Sequence, residues 1–184
     1  MTRVLLIFPA LLLLSCSLAT SKPQEHVIRS SPAYEAAVSG LTRTGEARQG
    51  VDVLARLTAT WLTPAFRETL EAEYQHVYGT PMDEPGLQVS NVVFVVALTG
   101  TRRELQRPPA YPKLWTLAFL TNEGEEVEPR RVEHFVRDSM FFEYFFPYWT
   151  PWRNMYRVEF PVDPAVTSGS LVYRGVAGEI RLDW

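Results

Sequence analysis

Apolar residues fall along this chain in three textures. An unbroken apolar run from Val4 to Leu14 opens it, helical spacing occupies about residues 31 to 80, and from Gln88 onward the pattern becomes that of strands. Within the helical stretch, Ser31-Pro32 reads as a cap and first turn: the serine oxygen accepts a free backbone N–H, and proline's missing donor costs nothing there. A first helix is predicted from Pro32 towards Leu41. Gly45 and Gly50 interrupt the next stretch, and beyond them Val51, Leu54, Ala55, Thr58, Trp61 and Leu62 recur at helical spacing and predict a helix that buries Trp61. Thr63-Pro64 repeats the cap chemistry, Phe66, Leu70, Tyr74 and Val77 form another stripe, and Gly79 and Pro81 stop it. Residues 31–80 are thus expected to form a helical hairpin with apolar faces that the rest of the chain must cover.

In the strand region, Val89 to Leu98 and Leu114 to Leu120 are nearly continuous apolar runs, the pattern of strands covered on both faces. Other segments alternate. Tyr156, Val158 and Phe160 oppose Arg157 and Glu159, and Ile180, Leu182 and Trp184 oppose Glu179, Arg181 and Asp183. Turn chemistry separates them at Thr99-Gly100, Asn122-Glu123-Gly124, Thr167-Ser168-Gly169 and Ala177-Gly178. About seven strands in residues 88–184 predict an antiparallel sandwich that resembles an immunoglobulin-like domain in architecture. The Cys…Trp…Cys spacing of true immunoglobulin domains is absent, and a mixed-sheet α+β fold is the alternative. The expected class is therefore α+β, mainly β, with the helical hairpin packed on the sandwich and residues 31–184 forming one compact unit.

Ten of the chain's 23 aromatic residues lie between Phe141 and Phe160, so this segment is the richest source of contact surface. Read as a strand, Phe141 to Phe146 has two aromatic faces, one for the sandwich core and one for the helices carrying Trp61, Phe66 and Tyr74. Pro147 and Pro151 then end pairing and place Tyr148, Trp149 and Trp152 on a loop or edge, with Arg153 beside them. Loop aromatics suit a protein interface, a sugar ring or a membrane surface. Arginine joins Trp and Tyr at interface hot spots. Tyr148, Trp149, Trp152 and Arg153 are accordingly the candidate binding surface.

The opening run comes after Arg3 and ends in Leu13-Leu14-Ser15-Cys16. A charged start, a short apolar stretch and small residues at the cut make a secretory signal, and the run is too short to span a bilayer, which takes about 20 residues. The Leu-Leu-Ser-Cys ending resembles the lipobox of bacterial lipoproteins. That resemblance implies cleavage after residue 15, with Cys16 diacylated, then N-acylated, as the new N-terminus. An ordinary signal peptide cut near Ala19 and an uncleaved N-terminal anchor are the competing readings. Cys16 is the only cysteine, so no internal disulfide framework forms and the core must supply stability. Residues 16–30 are polar and aperiodic and read as a lipidated tether. Ser17 in place of the aspartate that retains many lipoproteins at the inner membrane points to the outer membrane, periplasmic leaflet.

Composition narrows function more than it defines it. The net charge of −3 carries no basic field for nucleic acid. Nucleophilic catalysis needs Ser or Cys beside a base, yet the three histidines are His26 in the tether, His76 at a helix end and His134 in a polar strand. Glu73-Tyr74-Gln75-His76 has the Glu-x-x-His spacing of carboxylate-bridged metal sites, which need a second copy that the chain lacks. Glu123, Glu125 and Glu126 flank a turn and supply the carboxylates for a weak glycosidase reading. Arg102, Arg103, Arg107, Arg130 and Arg131 read as charged strand edges that discourage aggregation. No enzyme, cofactor or metal is expected. The expectation is a non-enzymatic, membrane-anchored envelope module that binds another envelope protein; the alternative is a small-ligand or glycan binder using an aromatic cleft.

Overall fold

A computed structural model describes residues 30–82, 90–101, 115–136 and 139–184; Cys16, the tether before Ser30, Arg102, Arg103 and Arg107 lie outside them. The element order is α1 (Pro32–Leu41), β1 (Thr42–Gln49), β2 (Asp52–Trp61), α2 (Pro64–Tyr78), β3 (Val92–Gly100), β4 (Trp115–Leu120), β5 (Glu126–Val127), β6 (Arg131–His134), α3 (Ser139–Phe145), β7 (Asn154–Phe160), β8 (Ser170–Gly175) and β9 (Gly178–Asp183). The strands form two antiparallel sheets, ordered β1-β2-β3-β7-β6 and β5-β4-β8-β9. They pack face to face as a β-sandwich, and the three helices lie on the outer face of the five-stranded sheet.

The central strand β3 explains this layering. Its even-numbered residues Val92, Phe94, Val96 and Leu98 enter the sandwich core with Leu57, Trp61, Phe119, Tyr156, Val158, Phe160, Leu171 and Tyr173. Its odd-numbered residues Val93, Val95 and Ala97 face the helices, packing with Tyr34, Leu62, Phe66, Leu70 and the α3 phenylalanines. Side chains alternate across a strand, so a continuous apolar run can be buried only between two layers. β4 is different: Thr116 is exposed on its outer face, so the other apolar run is covered fully on one side alone.

Ser31 and Thr63 cap α1 and α2 as the sequence predicts, and Gly79 ends α2 with φ of 70°. The helix expected over Val51 to Leu62 does not form, so the 31–80 region is not a simple helical hairpin. A β-hairpin, β1–β2, stands between the two helices and joins the five-stranded sheet. The segment carries a second periodicity, with Ala55, Leu57, Ala59 and Trp61 alternating against Arg56, Thr58 and Thr60. Pairing with β3 buries all four apolar residues to 1% exposure or less. An isolated helix stripe would bury them less completely, so the strand period prevails. Trp61 is buried as expected, but in the sandwich core.

The Phe141 to Phe146 strand is also corrected. Most of the segment is α3, which puts Phe141, Phe142, Phe145 and Phe146 on one helical stripe and leaves Glu143 exposed. All four rings pack in the helix layer and none enters the sandwich core.

Two features fix the remaining geometry. At one long edge the sheets approach each other through β1 and β9. A Cβ on Gly45 would meet Ile180 and Leu182 at 2.5 and 2.9 Å, so the contact requires glycine. The indole N–H of Trp184 donates to the Leu41 carbonyl at 2.8 Å, and Arg43 donates to the Asp183 carbonyl. On the helix side, the buried Glu73 carboxylate of α2 accepts hydrogen bonds from the Ser31 backbone N–H (2.8 Å), the Ser31 hydroxyl (2.6 Å) and the Tyr144 hydroxyl (2.6 Å). It ties α1, α2 and α3 together, while the Tyr34 hydroxyl donates to the Phe145 carbonyl. Burial is the largest influence on Glu73 and opposes ionisation, but its hydrogen bonds from Ser31 and Tyr144 together outweigh it and hold the carboxyl below its usual range.

Gly45→Val is expected to destabilise the sandwich by about 1–3 kcal/mol, the usual penalty for overpacking, read as a lower midpoint in urea unfolding. Glu73→Ala leaves the half-buried donors of Ser31 and Tyr144 without their acceptor and is expected to lose roughly 1–3 kcal/mol. Because the folded-state pKa of Glu73 lies below its unfolded value, its contribution is complete above pH 4.5 or so and declines as pH falls through the folded pKa. Acid titration of wild type and Glu73→Gln checks this: the wild type should lose more stability than the variant below about pH 4.

Candidate functional site

A cleft of about 680 Å³ opens between α1, the outer face of β1–β2 and the segment from Glu143 to Tyr148. The helix layer covers β3 and β7 and closes over Thr60 of β2 as well, so Thr42, Thr44 and Thr58 of the hairpin form the cleft floor. That floor is a hydroxyl ladder. Thr44 and Thr58 face each other at 3.0 Å and Thr42 and Thr60 at 2.7 Å, the cross-strand pairing that antiparallel register permits. Thr60 donates to the Tyr148 hydroxyl at 3.0 Å, and Tyr148 donates to the Val95 carbonyl at 3.1 Å. Since the Thr60 proton goes to Tyr148, Thr42 is the donor to Thr60. The Thr42–Thr60 pair is therefore wired through Tyr148 to the central strand, and the Thr44–Thr58 pair stands beside it.

Tyr34, Val38, Tyr144, Pro147 and Tyr148 supply apolar and aromatic wall, and Glu35 and Glu143 stand at the rim with Ser30 and Ser39. Burial pushes the phenols of Tyr34, Tyr144 and Tyr148 upward; the Glu73 carboxylate adds to this for Tyr144 and, with Tyr148, for Tyr34. All three stay protonated donors at neutral pH. Among the described residues the lining holds two carboxylates and no lysine, arginine or histidine. Such a surface, rich in acceptors and flat aromatic area, suits a ligand rich in hydroxyl or amine donors and repels an anion.

The structure separates the four residues singled out from the sequence. Tyr148 turns inward and forms cleft wall, its hydroxyl engaged with Thr60 and Val95. Trp149 is half-buried, stacked on Phe142 with ring centroids 5.8 Å apart. Arg153 donates to the Tyr148 carbonyl and so braces the turn between them. Trp152 alone stands free, 86% exposed. They share a segment without forming one surface.

The other candidates have structural employment. Glu73 holds the helix clamp, whereas His76 on the same helix is exposed. Glu126 pairs with Arg174 at 2.6 Å, and Glu125 belongs to the β4–β5 turn through Thr121. His134 packs beside Tyr156, and Arg131 pairs with Glu133. Among the described residues, no three His, Cys, Asp or Glu side chains converge as a metal site. The threonine ladder escaped sequence reading, although Thr42-Arg43-Thr44 and Thr58-Ala59-Thr60 carry it as a period-two repeat visible once both segments are read as strands. No family model, curated protein or solved structure matches the chain.

Proposed function

We propose that this chain is a lipid-anchored protein of the bacterial outer membrane, non-enzymatic, whose folded body binds a small donor-rich ligand such as a sugar in the cleft between α1 and the β1–β2 hairpin. The observation that carries this reading is the set of Thr42, Thr44 and Thr58 hydroxyls that line, with Tyr148, a cleft large enough for a small ligand, Thr44 paired with Thr58 and Thr42 tied through buried Thr60 to Tyr148. Stacking area from Tyr144 and Tyr148 and acceptors at the rim complete the recognition chemistry of a polyhydroxyl compound. The reading in which Tyr148, Trp149, Trp152 and Arg153 dock an envelope protein has less support, since only Trp152 of the four is freely exposed.

The sandwich is proposed to be immunoglobulin-like, with β1 as an added edge strand. Counted from β2, the sheet orders β2-β3-β7-β6 and β5-β4-β8-β9 correspond to A-B-E-D and C′-C-F-G. The anchor reading rests on Arg3, the apolar run and Leu13-Leu14-Ser15-Cys16. Two or more acyl chains at Cys16 give stable membrane attachment where one gives only marginal binding.

Calorimetric titration of the protein with a panel of neutral, amino and acidic saccharides tests the cleft. Saturable binding of a neutral or amino sugar is expected, with no binding of the acidic ones. Thr44→Val/Thr58→Val should weaken it about tenfold or more while the unfolding midpoint stays near wild type, the loss of one or two hydrogen bonds at roughly 1 kcal/mol each. A flat titration across the panel would sink the reading. For the anchor, mass spectrometry of the mature N-terminus should find an acylated Cys16, and Cys16→Ser should move the protein from the membrane to the soluble fraction.

A further inference from the structure

Five large apolar side chains stand exposed among the described residues: Val51, Val136, Met140, Trp152 and Val176. Four of them, Val51, Val136, Trp152 and Val176, come from separate connections, and strand register brings these to one end of the sandwich. Val51 is in the β1–β2 turn, between Gln49 and its partner Asp52. Ala55 pairs with Gly100 and Leu98 with Asn154, so β3 ends and β7 begins at this same end, with Trp152 two residues before Asn154. His134 pairs with Tyr156, so β6 also finishes here and Val136 comes just after it. Met140, the fifth, is in the first turn of α3 and is not placed by register. Val176 lies in the β8–β9 turn, between the paired Gly175 and Gly178. A Cβ on Gly178 would stand 3.5 Å from that of Ala47 in β1, which places this turn beside the first. The opposite end, around Asn122, Asp163 and Ser168, has no such residue among those described.

We infer that this end of the sandwich rests on a lipid bilayer, with the side chains of Val51, Val136, Trp152 and Val176 inserted at the level of the headgroups and upper acyl chains. The inference rests on the proposed acylation of Cys16, which puts the body beside a membrane. Its own ground is the distribution of apolar area. A protein interface has a contiguous desolvated centre, whereas here single residues project from separate turns between exposed polar neighbours such as Gln49, Asp52 and Thr101. Isolated tips of this kind each find apolar surroundings in a bilayer without having to meet one another, and tryptophan favours the membrane interface. The geometry also permits it. Thirteen residues between Cys16 and Ser30 reach up to roughly 45 Å, and the ten-residue strand β2, the longest, spans only about 33 Å. The tether therefore allows this end to face the lipid wherever Ser30 sits on the body.

Trp152 is its own reporter. The full acylated chain is reconstituted into vesicles of phosphatidylethanolamine and phosphatidylglycerol containing phosphatidylcholine brominated on its acyl chains, and its emission is compared with that of Trp152→Phe. The expected result is bromine quenching and a blue shift in the wild type, both lost in Trp152→Phe. Val51→Ser/Val176→Ser, two exposed positions at which folding should survive, should reduce the quenching. Emission from Trp152 that stays open to aqueous acrylamide and untouched by bromolipid would overturn the inference. So would a photocrosslinker at position 152 that captures an envelope protein rather than lipid in cells. Flotation with the vesicles reads the acyl anchor separately, so a failed anchor and a failed contact give different results.

Discussion

Everything in this molecule depends on a single strand being buried on both of its faces. β3 carries Val92 to Leu98 without a polar interruption, and no two-layer arrangement hides such a strand. The four-stranded sheet covers one face and the helices cover the other, so the chain is committed to three layers. The flanking strands then divide their own residues by position. β7 sends Tyr156, Val158 and Phe160 into the sandwich and keeps Met155 and Arg157 on the helix side, where Arg157 is 6% exposed and pairs with Glu159. A chain with no disulfide and one cysteine has little else to stand on, and two apolar clusters meeting across one strand supply it.

The parts of this fold that were legible in the sequence are those in which local chemistry and tertiary packing agree. Ser31-Pro32 and Thr63-Pro64 start helices because a cap satisfies its donors within its own segment. The alternating strands β7 and β9 were legible because one face of each meets apolar partners and the other meets water or ions. The failures share a cause. Val51 to Leu62 carries both a helical stripe and a strict alternation, and only the presence of β3 as a partner decides between them. Phe141 to Phe146 is apolar at so many positions that either period fits, and the decision falls to a helix layer formed by residues more than 60 positions earlier. Non-local burial overrode local pattern in opposite directions at the two places.

The candidate site was less legible than the fold, for a related reason. Aromatic density drew attention to Tyr148, Trp149, Trp152 and Arg153, but density says nothing about direction. The turn after α3 points Tyr148 inward, lays Trp149 on Phe142 and leaves Trp152 in solvent, so adjacent residues belong to different surfaces. The threonines that floor the cleft are ordinary as a composition. They acquire meaning only when β1 and β2 pair and set Thr42 against Thr60 and Thr44 against Thr58.

The cleft itself results from where the helix layer stops. α1 joins β1 directly at Leu41 and Thr42, so it must double back over the sheet, and the Glu73 clamp holds its first turn to α2 and to Tyr144. The outward positions Thr58 and Thr60 of β2 are buried, and buried hydroxyls without partners are costly. Each is paired with a threonine of β1, and Thr60 also with Tyr148. The hairpin thus supplies its own hydroxyl partners, and the floor it presents beside Tyr144, Tyr148, Glu35 and Glu143 is polar. Hydroxyl pairing within the hairpin and helix packing above it are in this sense one constraint on the cleft floor.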